Sequence, residues 1–120
     1  MNAPVDRPVA RPLEGVRVLD LSHALSGPTC TSLLALLGAD VVKVERPGVG
    51  DDFRHYTEHA GLPGMSLPFA AANAGKRSIT LDLTQPAAIK VIHALVRRSD
   101  LLVAMQQAVP ATYALARYGG

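Results

Sequence analysis

Residues 15–45, GVRVLDLSHALSGPTCTSLLALLGADVVKVE, place two short β-type runs on either side of an uncharged apolar segment. The first run, with Val16 and Val18, predicts a buried strand, and ADVVKVE predicts a second one. Between them, Pro28 as the first helical residue and Gly38 as a C-terminal cap predict a short buried helix. A strand, a helix and a strand this close together indicate a parallel crossover, which is expected to be right-handed.

The rest of the chain continues this alternation. Residues 46–75 hold five glycines and three prolines and predict a long irregular excursion. KRSITLDL then predicts a strand, TQPAAIKVIHALVRRSD predicts a helix with Pro86 in its first turn, and residues 100–103 predict a further strand. The pattern predicts an α/β domain with a largely parallel sheet and flanking helices.

Composition limits the function classes. A chain of 120 residues that is 48% hydrophobic is long enough for one domain with a core. The net charge of +2 is spread along the chain, and there are only three tyrosines, two phenylalanines and no tryptophan. Neither nucleic acid nor a membrane is therefore an expected partner, because a basic stripe, a stacking surface and a long apolar run are all missing from the sequence. The start MNAPVDRPVARP lacks the apolar core of a signal peptide, so a cytoplasmic location is expected.

The cysteine and the histidines do not form a recognisable chemical set. A structural role for Cys30, as a small buried residue, is favoured over a role as a nucleophile, because the sequence shows no histidine and asparagine arranged with it as catalytic partners. The four histidines, at positions 23, 55, 59 and 93, lack the spacing of metal ligands, and no metal is expected. Only His23, just past a strand, has a position that suggests a site.

Three polar segments follow or precede strands, and each has two interpretations. Residues 22–28 could donate backbone N–H groups to a phosphate, thioester or carboxylate, or could form only a turn. Arg46 could clamp a phosphate, while Glu45 could accept a bond from a ribose or simply pair with Arg46. Lys76 and Arg77 could contact an anion or form a solvated edge.

Three ordered motifs carry a family resemblance: PLEGVRVLDLSHALSGPTCTSLLALLGADVVKVERPGVGDDFR, NAGKRSITLDL and RRSDLLV. Together they resemble the N-terminal part of the class III coenzyme A transferases, the group with formyl-CoA transferase, carnitine CoA-transferase and α-methylacyl-CoA racemase. The resemblance implies a Rossmann-like large domain and two protomers threaded as interlocked rings. It also implies CoA transfer between carboxylic acids through an aspartyl-CoA thioester, or α-proton movement in the racemases, with CoA or acyl-CoA as substrate.

The resemblance also implies the residues of a CoA cleft. One loop would line the thioester end of CoA, an arginine with a flanking leucine would contact the nucleotide portion, and a Lys-Arg pair matching the family's NKRS would shape the same cleft. In that order, the implied residues are Ala24, Leu25 and Ser26; Arg46 and Leu81; Lys76 and Arg77.

Several positions depart from the family pattern. Leu25 stands where formyl-CoA transferases use a glutamine near the thioester, and Thr84 replaces a CoA-contacting lysine of some members. After DLLV the family continues with ENFRPG, whereas Ala104, Met105 and Gln106 follow in this chain. A nucleophilic aspartate is also missing, because no aspartate occupies its motif, and no catalytic residue is assigned; those considered are Asp20, Asp40, Asp51, Asp52, Asp82 and Asp100.

The sequence therefore predicts three segments: a flexible tail over residues 1–12, the CoA-transferase-like α/β domain over 13–103, and a helical tail over 104–120 that resembles a later family segment. An internal deletion or a gene-model splice at LLVAMQ would explain this order, which resequencing of the locus tests. The expected protein is a short CoA-transferase that lacks turnover on its own and forms homo-oligomers or pairs with a longer relative. The alternatives are an acyl-CoA racemase fragment, a non-catalytic CoA-binding or interaction module, and a truncated product without function.

Overall fold

A computed structural model describes residues 10–104. Its centre is a four-stranded sheet with the strand order β3-β2-β1-β4, in which every pairing is parallel. The predicted α/β class with a parallel sheet is thereby confirmed. The strands are β1 (Arg17–Leu21), β2 (Asp40–Glu45), β3 (Arg77–Thr80) and β4 (Leu101–Ala104).

Three helices join the strands: α1 (Ser26–Leu36), α2 (Leu67–Ala72) and α3 (Pro86–Arg97). Pro86 is the first residue of α3, as predicted, whereas α1 begins two residues before Pro28. The excursion is less irregular than its composition predicted. It contains a 3-10 turn (Asp52–His55) and α2, whose N-terminus is capped by the Ser66 hydroxyl accepting the Phe69 N–H at 3.1 Å.

The two faces of the sheet are covered by different helices. Leu19 and Val44 point to one face and pack with Ile92 of α3. Val18 and Val41 point to the other face, where Leu34 and Ala35 of α1 cover them. The side chains alternate because successive residues of a strand point to opposite faces. Helices on opposite faces are what right-handed crossovers require when the chain runs from β1 to β3 in one direction and then crosses back to β4.

This strand order creates a topological switch point. β1 pairs with β2 on one side and with β4 on the other, so the chain leaves β1 in one direction and returns to its opposite flank. In open α/β sheets, the crevice at the carboxyl end of such a strand is the usual ligand site. Residues 22–25 occupy that position.

Only one side of α1 is buried, so the prediction of a buried helix holds for that side alone. Thr31 and Ser32 face the protein, whereas Leu33 is 56% exposed and Leu36 is 72% exposed. Cys30 is exposed as well, and the expectation that it is buried is wrong. The reason is helical geometry: residues three and six apart from Cys30 share its outward face.

The predicted tails fall mostly outside the described residues. Residues 10–12 lead into a turn over 12–15, whose end is fixed by the Val16 N–H donating to the Leu13 carbonyl at 3.1 Å. The predicted helix over 104–120 lies outside the described part, except for Ala104, which is the last residue of β4. Within residues 10–104, no helix is long and apolar enough to span a membrane.

Adjacent residues of α3 offer a test of this packing. Ile92 is 1% exposed against the sheet and Val91 is 44% exposed. We expect Ile92→Ala to lower the free energy of unfolding by about 3 kcal/mol, because it leaves a core cavity. We expect Val91→Ala to change it by less than about 0.5 kcal/mol. Urea unfolding followed by circular dichroism measures both, and equal losses would contradict the placement of α3.

Candidate functional site

Five of the seven predicted CoA-cleft residues lie at the carboxyl edge of the sheet. Ala24, Leu25 and Ser26 follow β1, and Arg46 directly follows β2. Leu81 follows β3, and its N–H donates to the carbonyl of Glu45, the last residue of β2, at 3.0 Å. Since parallel strands end on the same side, neighbouring strands bring these residues to one edge.

Beneath this edge, the sheet face toward α1 carries a polar stripe. Asp20, Lys43 and Ser78 lie side by side in register on β1, β2 and β3. Asp20 is fully buried and Lys43 is 1% exposed. A buried charge is tolerated only where it is paired and hydrogen-bonded. The contacts of this stripe therefore decide how the loop above it is held.

Asp20 is satisfied by four donors. Its carboxylate accepts bonds from the Lys76 ammonium at 3.0 Å, the Thr31 hydroxyl at 2.6 Å and the Ser22 N–H at 2.8 Å, as well as from the Ser22 hydroxyl. Burial raises the pKa of Asp20, but the hydrogen bonds from Ser22, Thr31 and Lys76 outweigh it and hold the pKa below its ordinary value. Through Thr31 and the Lys76–Asp20 ion pair, these bonds connect the end of β1 to α1 and to the start of β3.

A second buried pair, Lys43 and Asp51, holds the next part of the loop. The Lys43 Nζ lies 2.8 Å from Asp51 Oδ2 and also donates to the Ser22 carbonyl at 2.8 Å. Asp51 Oδ1 accepts the Ala24 N–H at 3.1 Å and the Phe53 N–H at 3.0 Å. Burial raises the pKa of Asp51, but Lys43 and these backbone donors bring it below its ordinary value. Asp51 is therefore charged at neutral pH.

Glu45 forms a third buried contact. Its two oxygens each accept one bond from the Arg54 guanidinium at 2.7 Å, and the Asp51 N–H donates to Oε1 at 2.9 Å. Burial raises the pKa of Glu45, but Arg54, Ser78 and Asp51 together lower it to about 2. The Arg54 guanidinium also lies 3.9 Å from the centre of the Phe69 ring, so the excursion is fixed against β2.

Arg46 has a different environment from its neighbour Glu45. Its side chain is 54% exposed and pairs with Asp52, which is 78% exposed. The interpretation of Glu45 as the partner of Arg46 is therefore wrong, and with both oxygens held by Arg54 we no longer propose that it contacts a ribose. An exposed ion pair is weak, so an anionic ligand can displace Asp52 from Arg46.

Lys76 and Arg77 separate although they are adjacent. Lys76 is buried, which contradicts a solvated edge for this residue, and its ammonium also donates to the carbonyl of Pro28 at 2.7 Å. Arg77 is exposed and pairs with Asp40 at 2.6 Å, at the amino edge of the sheet. The structure therefore brings Lys76 beneath the loop and places Arg77 away from Arg46.

Sequence reasoning missed the buried pairs. A signal existed for Asp20 and Lys43, because each interrupts an apolar strand, and a charge in a strand covered on both faces must have a partner. No comparable signal marked Asp51, which follows Gly50 in the loop after β2. Among residues 10–104, no group of histidine, cysteine, aspartate or glutamate side chains is arranged to hold a metal ion.

The lowered pKa of Glu45 predicts acid sensitivity. The carboxylate stabilises the fold fully above its ordinary pKa of 4.5, and this contribution is lost as the pH falls to about 2. We expect Glu45→Gln to be less stable than the unchanged chain by about 2 kcal/mol at pH 7. The difference should shrink between these two pH values when unfolding is followed by urea titration. Glu14→Gln, at an exposed glutamate, is the control, and a difference independent of pH would contradict the prediction.

Comparison with known proteins places the chain in a family. The sequence model of CoA-transferase family III matches residues 13–116. Over 96 residues, the chain is 51% identical to a formyl-CoA:oxalate CoA-transferase of Bradyrhizobium sp. (strain ORS 278). It is 52% identical over 96 residues to one of Rhodopseudomonas palustris (strain TIE-1). Each match covers 79% of this chain and 22% of the relative, so the chain spans about a fifth of the length of these relatives.

Solved structures agree with the sequence comparison. A hypothetical protein of Mycobacterium tuberculosis is similar with a TM-score of 0.74 and 36% identity, covering 88% of this chain and 29% of that one. A CaiB/BaiF family protein of Brucella suis is similar with a TM-score of 0.69 and 38% identity, covering 78% of this chain and 25% of that one. Since the family model spans most of the sequence and these folds agree, the chain belongs to CoA-transferase family III.

Proposed function

We propose that this chain binds CoA or an acyl-CoA at the carboxyl edge of its sheet, as the CoA-binding part of an enzyme that transfers CoA between carboxylic acids. The observation that carries the proposal is that the 22–25 loop at the topological switch point and the exposed Arg46 after the neighbouring strand β2 lie at the same edge of the sheet. Family membership supplies the ligand class. The relatives named formyl-CoA:oxalate CoA-transferase support a transferase over a racemase.

The nucleotide end of CoA would lie against Arg46. A guanidinium binds phosphate through two parallel N–H bonds, and Asp52 holds Arg46 only through an exposed contact. Leu81 would flank this position, since its backbone is bonded to the residue before Arg46. Lys76 would act from beneath, because its ammonium is already bonded to Asp20 and to Pro28.

The thioester end would lie at the start of α1. Leu25, at the N-cap of this helix, makes no side-chain capping bond, so the first-turn N–H groups of Ser26 and Gly27 are left for a ligand. The helix dipole favours the negative charge that develops on a thioester oxygen when a carboxylate attacks. Leu25 is 60% exposed and brings no amide to this end. We therefore propose an acid less polar than the oxalate in the relatives' name.

The described residues support binding rather than turnover. Asp20 and Asp51 are buried in pairs with lysine, and Asp52 is paired with Arg46. Asp40 is paired with Arg77, and the carboxylates of Asp82 and Asp100 accept backbone N–H groups. Every aspartate among residues 10–104 thus has a contact of its own. We propose that the nucleophile comes from outside this segment. A non-catalytic CoA-binding module is the second candidate, for the same reason.

Self-association is the expected state, as a homo-oligomer or with a longer relative. The outward leucines of α1, Leu33 and Leu36, present apolar surface. We expect the chain to sediment as an oligomer. Leu36→Glu should lower the mass of the sedimenting species, because burying a carboxylate between subunits would oppose their contact. Sedimentation velocity measures both, and a monomeric unchanged chain would contradict the expectation. The cytoplasmic location stays a prediction.

Calorimetric titration with CoA tests the binding proposal. We expect saturable binding that weakens by about tenfold in Arg46→Ala, since a charge-assisted contact is lost. Binding should weaken with 3′-dephospho-CoA and should be equal or tighter in Asp52→Asn, which releases Arg46. Arg77→Ala removes another exposed arginine, at the opposite edge, and is the matched control. A folded sample that gives no saturable heat would contradict the proposal.

A further inference from the structure

Asp51 links two parts of the chain that the sequence separates by 27 residues. It lies after β2, fully buried, yet its Oδ1 accepts the N–H of Ala24 in the loop after β1. Lys43 neutralises its other oxygen and holds the carbonyl of Ser22. Asp51 and Lys43 therefore hold the loop at two points, the N–H of Ala24 and the carbonyl of Ser22.

The residue that Asp51 holds has an unusual backbone. Ala24 has a φ of +62°, in the left-handed region that side chains with a Cβ rarely adopt. Such a conformation persists only where surrounding contacts determine it. The Asp51 bond to the Ala24 N–H acts on this residue directly, beside the Lys43 bond to the Ser22 carbonyl. We expect loss of the Asp51 bond to let the loop relax toward ordinary backbone angles.

The conformation of Ala24 fixes how the chain enters α1. Leu25 is the N-cap residue, and Ser26 is the first residue of the helix. A change at φ of Ala24 would alter the direction in which the chain enters α1 and with it the placement of the first N–H groups of the helix. The aim of these donors therefore depends on a carboxylate that belongs to another loop.

We propose that Asp51 is a positioning residue for the thioester end of the ligand, acting through Ala24. The inference rests on the proposed function that CoA binds at this edge. Asp51 itself is buried beneath the loop and would not touch the ligand. The effect of its side chain should be larger at the half of the site formed by α1, since Arg46 contacts Asp52 and the Gly50 carbonyl rather than the Asp51 carboxylate.

Two double variants of the full chain differ in the acceptor at position 51, which takes the N–H groups of Ala24 and Phe53. Lys43→Met/Asp51→Ala and Lys43→Met/Asp51→Asn both remove the buried ion pair, so neither leaves a buried charge unpaired. Asparagine keeps a carbonyl oxygen that can accept the Ala24 and Phe53 N–H groups, and alanine does not. Ala24→Val, described below, changes the conformation of Ala24 while both acceptor bonds of Asp51 can remain. The probes are CoA, which reaches both ends of the site, and adenosine 3′,5′-bisphosphate, which reaches the nucleotide end alone.

We expect the alanine double variant to bind CoA about tenfold more weakly than the asparagine double variant. The bisphosphate should bind both within about twofold, because Arg46 makes no contact with the Asp51 side chain. Equal CoA affinities in the two variants, or an equal loss for both probes, would overturn the positioning role. If the unchanged chain binds neither probe, the proposed function fails and this inference fails with it.

A third variant decides the question if the alanine double variant does not fold. Ala24→Val leaves Asp51 and Lys43 in place but puts a β-branched residue where φ is positive. We expect weaker CoA binding with unchanged bisphosphate binding. Unchanged CoA binding would show that the loop conformation is irrelevant to the ligand, and would overturn the proposal.

Discussion

Two buried lysine–aspartate pairs are the constraint on which the candidate site depends. Lys76 with Asp20, and Lys43 with Asp51, place four charges beneath the loop that follows β1. Removing such charges from water is costly, and only close pairing with further hydrogen bonds offsets the cost. Ser22 contacts both pairs: its N–H donates to Asp20, and its carbonyl accepts a bond from Lys43. The loop is therefore fixed by requirements of the interior rather than by its own turn residues.

The same pairs sort the positive charges by role. Lys43 and Lys76 pair with aspartates inside the protein, and Arg54 pairs with Glu45. Arg46 keeps only an exposed partner and remains open to an incoming anion. A basic side chain near a ligand edge is thus not evidence of a ligand contact until its own partners are known. In this site the accessible cation follows β2 and the fixed cations lie below it.

Much of the fold could be predicted because apolar runs mark the strands and capping residues mark the helices. Residues 15–45 contain both, and their strand-helix-strand order is confirmed. The site could be predicted only in part. Arg46 and Ala24 stand next to strand ends, which is a local signal. The bond between Asp51 and Ala24 is not local, since it depends on the path of an irregular excursion. The exposed side of α1 was missed because leucine is usually buried, and sequence does not show which layers are present.

The central position of β1 has a consequence for the order of folding. Val18 of β1 pairs with Val41 of β2, which lies 23 residues further along the chain. On its other side Val18 pairs with Leu101 of β4, which lies 83 residues further along. Contacts of such long sequence separation form late, because closing the intervening loop costs entropy before the strand contacts can offset that cost. On a ribosome, β1 would emerge early and wait with one flank unpaired until residue 104 had been synthesised. An apolar strand in that condition is a substrate for chaperones and for mispairing with other chains.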